Sequence, residues 1–185
     1  LRAHVAHSLD IVKSGGINDP DVLDVVRTHH ERFDGSGYPD HLTGNTIPMA
    51  GRMLAIIDAY DAMCSVRPYR SAVSRHKALQ EIYRGRDTLF QAELVEQVQV
   101  CLGVYPTGSR VELNSGEVAV VMEQNQVRRL RPTVLLISTP EKQPLENFRV
   151  LDLLNQPGDG ERIEIRRALA IDEYGIDTAG FLTAP

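Results

Sequence analysis

Apolar positions recur at helical spacing through the first ~100 residues and at alternating spacing afterwards. The opening segment reads as a helix to about Lys13, stopped by Gly15 and Gly16. A second helix starts with Asp19 as its N-cap and Pro20 in its first turn. On it Leu23, Val26 and His30 share one face, and Val22, Val25 and His29 share the neighbouring one. A glycine-rich loop ending in Gly37-Tyr38-Pro39 follows. The next helix has Pro48 near its start and Met53, Ile57 and Tyr60 at helical spacing. Ser74 caps a fourth helix. A fifth is apolar at Leu94, Val95, Val98 and Leu102 and is ended by Gly103.

Around Tyr105-Pro106 the period changes. Residues 109–124 alternate in the manner of strands, with Asn114-Ser115-Gly116 as a hairpin turn. Residues 131–139 and 147–154 read as further short strands, and the final stretch as one more strand and a docked tail. The predicted architecture is mainly α: a helical bundle over residues 1–103, then a small β-rich, barrel-like module over 104–185.

Composition narrows the class. Of 185 residues, 42% are hydrophobic and 24% charged, which supports a buried core. The net charge of −5 argues against a DNA binder. Cys64 and Cys101 are too few for a disulfide framework, and no apolar run approaches the roughly 20 residues of a membrane span. A cytoplasmic setting is expected. The first residues read as a helix already under way, without methionine or cap, as if the chain began inside its first domain.

Three features carry candidate chemistry. His29 and His30 are adjacent, so they point about 100° apart and would serve different centres if both faced one cavity. Neutral imidazole ligates iron, zinc and manganese; a capping or surface pair is the other reading. His4 lies on the opening helix, and Asp58 sits in an apolar stretch where a carboxylate needs a metal or basic partner. Asp61 is one turn on, placed to assist Asp58 or orient a substrate. Arg67 and Arg70 flank Pro68-Tyr69; held together they suit phosphate oxygens, and they suit equally a solvated helix end.

"HHERFDGSGYPDHLTGNTIP" with "RMLAIIDAYDAMCSVRPYR" resembles the HD-GYP family of bacterial cyclic di-GMP hydrolases, over roughly Leu1 to Leu102. "YPTGSRVELNSGEVAVV" and "RRLRP" resemble the β extension of some members. The resemblance implies an HD-type α bundle holding two or three divalent ions, iron or manganese. It implies His4, His29, His30 and Asp58 as ligands, Tyr38 near the substrate, Arg67 and Arg70 on its phosphates, and Asp61 close by. The implied reaction is metal-assisted phosphodiester hydrolysis to pGpG or GMP. A catalytically inactive module, binding cyclic di-GMP or a partner such as a diguanylate cyclase through the Gly-Tyr-Pro loop, is the rival reading. The family's His-Asp dyad, which precedes the His4 helix, has no counterpart here, and His41 stands where glycine is more usual. The chain is therefore expected to be a piece of an active enzyme that, alone, binds metal poorly and is inactive.

Overall fold

Two units, one helical and one built on a sheet, make up the computed structural model, which describes residues 2–67, 71–156, 161–171 and 173–175. The first unit comprises Leu1–Pro68 and Ala78–Cys101, the second Tyr69–Lys77 and Leu102–Pro185. The elements are α1 (His4–Ser14), α2 (Pro20–Thr28), α3 (Met49–Cys64), α4 (Arg75–Arg84), α5 (Ala92–Leu102), β1 (Arg110–Leu113), β2 (Val118–Glu123), β3 (Thr133–Ser138), β4 (Pro144–Asp152) and β5 (Ile165–Ala168).

In the helical unit, Ile56 of α3, Ile82 of α4, Phe90, and Leu94 and Val95 of α5 form one buried cluster. Burying side chains of this size contributes about 1.5–3 kcal/mol each. It fixes α3, which supplies one wall of the site. Where α2 meets α3 the packing is closest: a Cβ on Gly51 would lie 2.1 Å from Thr28 Oγ1. The absence of a side chain at Gly51 therefore lets α3 approach the end of α2, just before the two histidines. Gly51, Ala55 and Asp58 follow at helical spacing, so this contact also aims Asp58 toward α2.

The strands form one antiparallel sheet in the order β4-β3-β2-β1-β5. Alternation sets its two faces. Val111, Leu113, Ala119, Val121, Val134 and Leu136 pack together with Leu153, while Val118, Ile137 and Leu169 form a second cluster. Gly116, at φ +99°, makes the β1–β2 turn in a conformation that favours glycine. Opposite each other on β1 and β5, Glu112 and Arg167 form an ion pair at 2.8 Å, and Lys142 reaches Glu112 at 2.7 Å.

The strand unit departs from expectation in one respect. Its sheet is open rather than barrel-like: β4 and β5 are its two edges and do not pair with each other. β4 is exposed from Glu146 to Val150, as an edge facing water should be, and begins three residues before Asn147.

Candidate metal centre

The site grows from the end of α2. The helix starts as its sequence dictates: Asp19 accepts the backbone N–H of Asp21 at 2.9 Å, and Pro20 occupies the first turn. It ends at Thr28, whose hydroxyl donates back to the Asp24 carbonyl at 2.6 Å. His29 is the C-cap residue, still in helical conformation. Its Nδ1–H donates to the Val26 carbonyl at 2.8 Å. In the neutral ring that contact leaves Nε2 with a free lone pair.

His30 Nε2 and His4 Nε2 lie 2.9 Å apart, so α1 meets the end of α2 through an imidazole pair. The rings of His29 and His30 are 4.2 Å apart. One ligand atom from each of His4, His29 and His30 lies within 4.8 Å of the others, the one such group among the described residues. From α3, Asp58 Oδ2 stands 3.6 Å from His30 Nδ1. That is long for a hydrogen bond, yet near enough to favour a proton on Nδ1 and leave Nε2 as the donor atom. Burial, reinforced by His29, His4 and Arg32 and opposed by Asp58, lowers the His30 pKa to about 4. His30 is thus neutral at neutral pH, the form that ligates metal. Three imidazole nitrogens backed by a carboxylate fit a divalent transition-metal ion.

The Gly-Tyr-Pro loop closes one side. Tyr38 stacks on His30 with centroids 4.8 Å apart and planes at 30°, and its N–H donates to the His30 carbonyl. Arg2 lies over the Tyr38 ring, with its guanidinium carbon 5.1 Å from the centroid. Burial raises the Tyr38 pKa against the pull of Arg32 and Arg2, so the phenol stays protonated. The Tyr38–Pro39 peptide is cis.

Glu31 holds this loop, and sequence reasoning assigned it no role. It is 1% exposed, and its carboxylate accepts the N–H groups of Asp40 at 2.7 Å and Leu42 at 3.1 Å. Asp40 is also gripped from outside by Arg27 through contacts of 2.6 and 2.8 Å. A Cβ at Gly37 would lie 2.3 Å from the Arg32 nitrogen, so the loop can fold onto the Glu31–Arg32 backbone only with glycine there. The available signal was an acid directly after two histidines and before a glycine loop, a place where a buried carboxylate finds backbone donors.

The structure thus brings together His4, His29, His30, Asp58 and Tyr38. Asp61 is exposed one turn beyond Asp58 and is not among the clustered ligand atoms. Arg67 is exposed just past α3, and Arg70 lies outside the described residues. His7 is exposed; His76 is bound to the Val104 carbonyl at 2.8 Å and stacks on Tyr105. No helix among the described residues is long and apolar enough to cross a membrane.

The HD domain family matches residues 1–94. The cyclic di-GMP phosphodiesterase PA4108 of Pseudomonas aeruginosa is 36% identical over 143 residues, 77% of this chain and 34% of that protein. The cyclic di-GMP phosphodiesterase response regulator RpfG of Xanthomonas campestris is 42% identical over 93 residues, 46% of this chain and 24% of that protein. The 3'3'-cGAMP-specific phosphodiesterase 2 of Vibrio cholerae is 33% identical over 97 residues, 52% of this chain and 19% of that protein. The chain therefore spans about a third or less of the length of these relatives. It belongs to the HD domain family, and within it to the HD-GYP group.

Proposed function

We propose that this chain supplies metal ligands and substrate contacts to a phosphodiesterase that hydrolyses cyclic di-GMP to pGpG or GMP. The observation that carries the reading is the meeting of His4, His29 and His30, backed by Asp58, against the Tyr38 wall. The names of its relatives support the substrate class. His4, His29 and His30 would hold divalent iron or manganese, with Asp58 as a further ligand or as the orienting partner of His30. When bound, such ions supply Lewis acidity to a phosphodiester.

The remaining roles belong to the chain's own groups. Asp58 keeps the His30 proton on Nδ1. Tyr38, protonated and stacked on His30, gives the substrate a flat wall and a hydroxyl donor. Arg67 and Arg70 would meet the phosphate oxygens, where a planar guanidinium matches two oxygens at once. Asp61, exposed beside Asp58, is placed to accept a hydrogen bond from the nucleotide.

A specific relative raises a second substrate, 3'3'-cGAMP, which keeps the phosphodiester ring and exchanges one base. The test is turnover of each cyclic dinucleotide by the protein at its full natural length, loaded with Mn²⁺ or Fe²⁺. Release of pGpG from cyclic di-GMP is expected. Nucleotide binding with no product at any metal loading would replace this reading by the inactive module. In the same protein, Asp58→Ala is expected to lower metal affinity by about 10–100-fold, read by competition with a metallochromic dye. Unchanged affinity would remove Asp58 from the centre.

A further inference from the structure

The metal centre uses nothing of the strand unit, yet that unit has a cavity of about 450 Å³. The size suits a small ligand. Arg128, Arg129 and Arg131 line it, together with Tyr105 and Glu164. This is the basic stretch "VRRLRP", on the connection between β2 and β3.

The connection is built rather than loose. Asn125 Oδ1 accepts the N–H groups of Val127 and Arg128, both at 2.9 Å. The Arg131 N–H donates to the Arg128 carbonyl at 2.8 Å, closing a turn. Arg131 then pairs with Glu164, just before β5, at 3.1 Å, which ties the turn across the cavity. Gln124 donates to the Tyr105 carbonyl and holds the aromatic wall. The charges divide unequally. Arg131 is neutralised by Glu164, whereas Arg128 and Arg129 have no side-chain hydrogen bond or ion pair among the described residues. Two guanidinium groups on consecutive residues of a fixed turn, with no side-chain partner among the described residues, form a receptor for an anion with several oxygens. Exposed Leu130 and half-buried Tyr105 add apolar surface beside the charge.

We propose that this cavity binds a small phosphate-bearing anion through Arg128 and Arg129. The ligand's phosphate occupies the two forks, and Tyr105 and Leu130 face whatever the phosphate carries. The inference stands apart from the phosphodiesterase reading.

The experiment is calorimetric titration of the chain, treated with EDTA, with GMP and with pyrophosphate at low salt. Saturable binding is expected, weakened by at least about tenfold in Arg128→Gln/Arg129→Gln, because the charge-assisted hydrogen bonds from both guanidinium groups are lost. Raising NaCl from about 50 to about 500 mM should weaken it as well. Arg149→Gln on edge strand β4 should bind like the unaltered chain. Tighter binding of GMP than of pyrophosphate identifies a nucleotide ligand; equal binding identifies phosphate groups alone. Both support the site. No saturable binding of either probe overturns it. So does binding that survives the Arg128/Arg129 double variant with an unchanged circular dichroism spectrum. The EDTA strips any metal from the imidazole cluster, which separates this outcome from any failure at the metal centre.

Discussion

Glu31 accepts two backbone N–H groups of the Gly-Tyr-Pro loop while buried to 1% exposure. Removing it leaves both donors without their partner. Glu31→Ala should destabilise the helical unit by about 2 kcal/mol, measured by urea denaturation; a change within error would mean that water replaces the carboxylate without cost. The residue shows what the sequence hid at this scale. His29, His30 and Asp58 stand out in the sequence because their side-chain chemistry is unusual for their surroundings, whereas Tyr38 is marked only by the family resemblance. Glu31 was not legible, because its partners are backbone groups nine and eleven residues away, and backbone donors leave no mark in a sequence. Asp61 and Arg67 were equally legible, but the structure leaves them exposed. Their roles depend on a substrate.

At the scale of elements, the helices followed from capping and period. Asp19, Pro20 and Gly103 stand where those signals put them. The α2–α3 approach did not follow, since Gly51 inside a helical pattern reads merely as a weak helix former. Gly51→Ala drives a Cβ to within 2.1 Å of Thr28 Oγ1. It should cost about 1–3 kcal/mol. Thr28→Ala removes that oxygen, so the double variant should be more stable than the sum of the two single changes predicts. Strict additivity would show that the helices separate without strain.

The strand unit has its own electrostatic signature. Hydrogen bonding from Lys142, aided by Arg167, holds the Glu112 carboxyl below the usual glutamate range despite burial. A depressed folded-state pKa stabilises the fold fully above the unfolded value of about 4.3 and loses that contribution as pH falls through the folded value. Denaturation of the chain should therefore become easier between about pH 5 and pH 3, and Glu112→Gln should flatten that decline. An equally steep acid limb in the variant would assign it to other carboxylates. The open sheet was less legible than its strands. Alternation specifies the faces of each strand, but closure depends on whether the two edge strands, β4 and β5, meet, and no pattern within a single strand records that.

For the whole molecule, the change of period near Tyr105 marked the passage from helices to strands, and the structure divides into two units close to that point while drawing Tyr69–Lys77 into the second. All residues of the imidazole cluster and its Tyr38 wall fall in the first unit. Under the proposed function, this cluster holds the metal on which hydrolysis depends. The most direct test is the rate of pGpG release from cyclic di-GMP by the full-length, Mn²⁺-loaded protein and its His29→Ala variant, with bound metal counted in both. Loss of at least about 100-fold in rate together with loss of metal is the predicted result. A variant that keeps its metal and turns over at the unaltered rate would contradict the account.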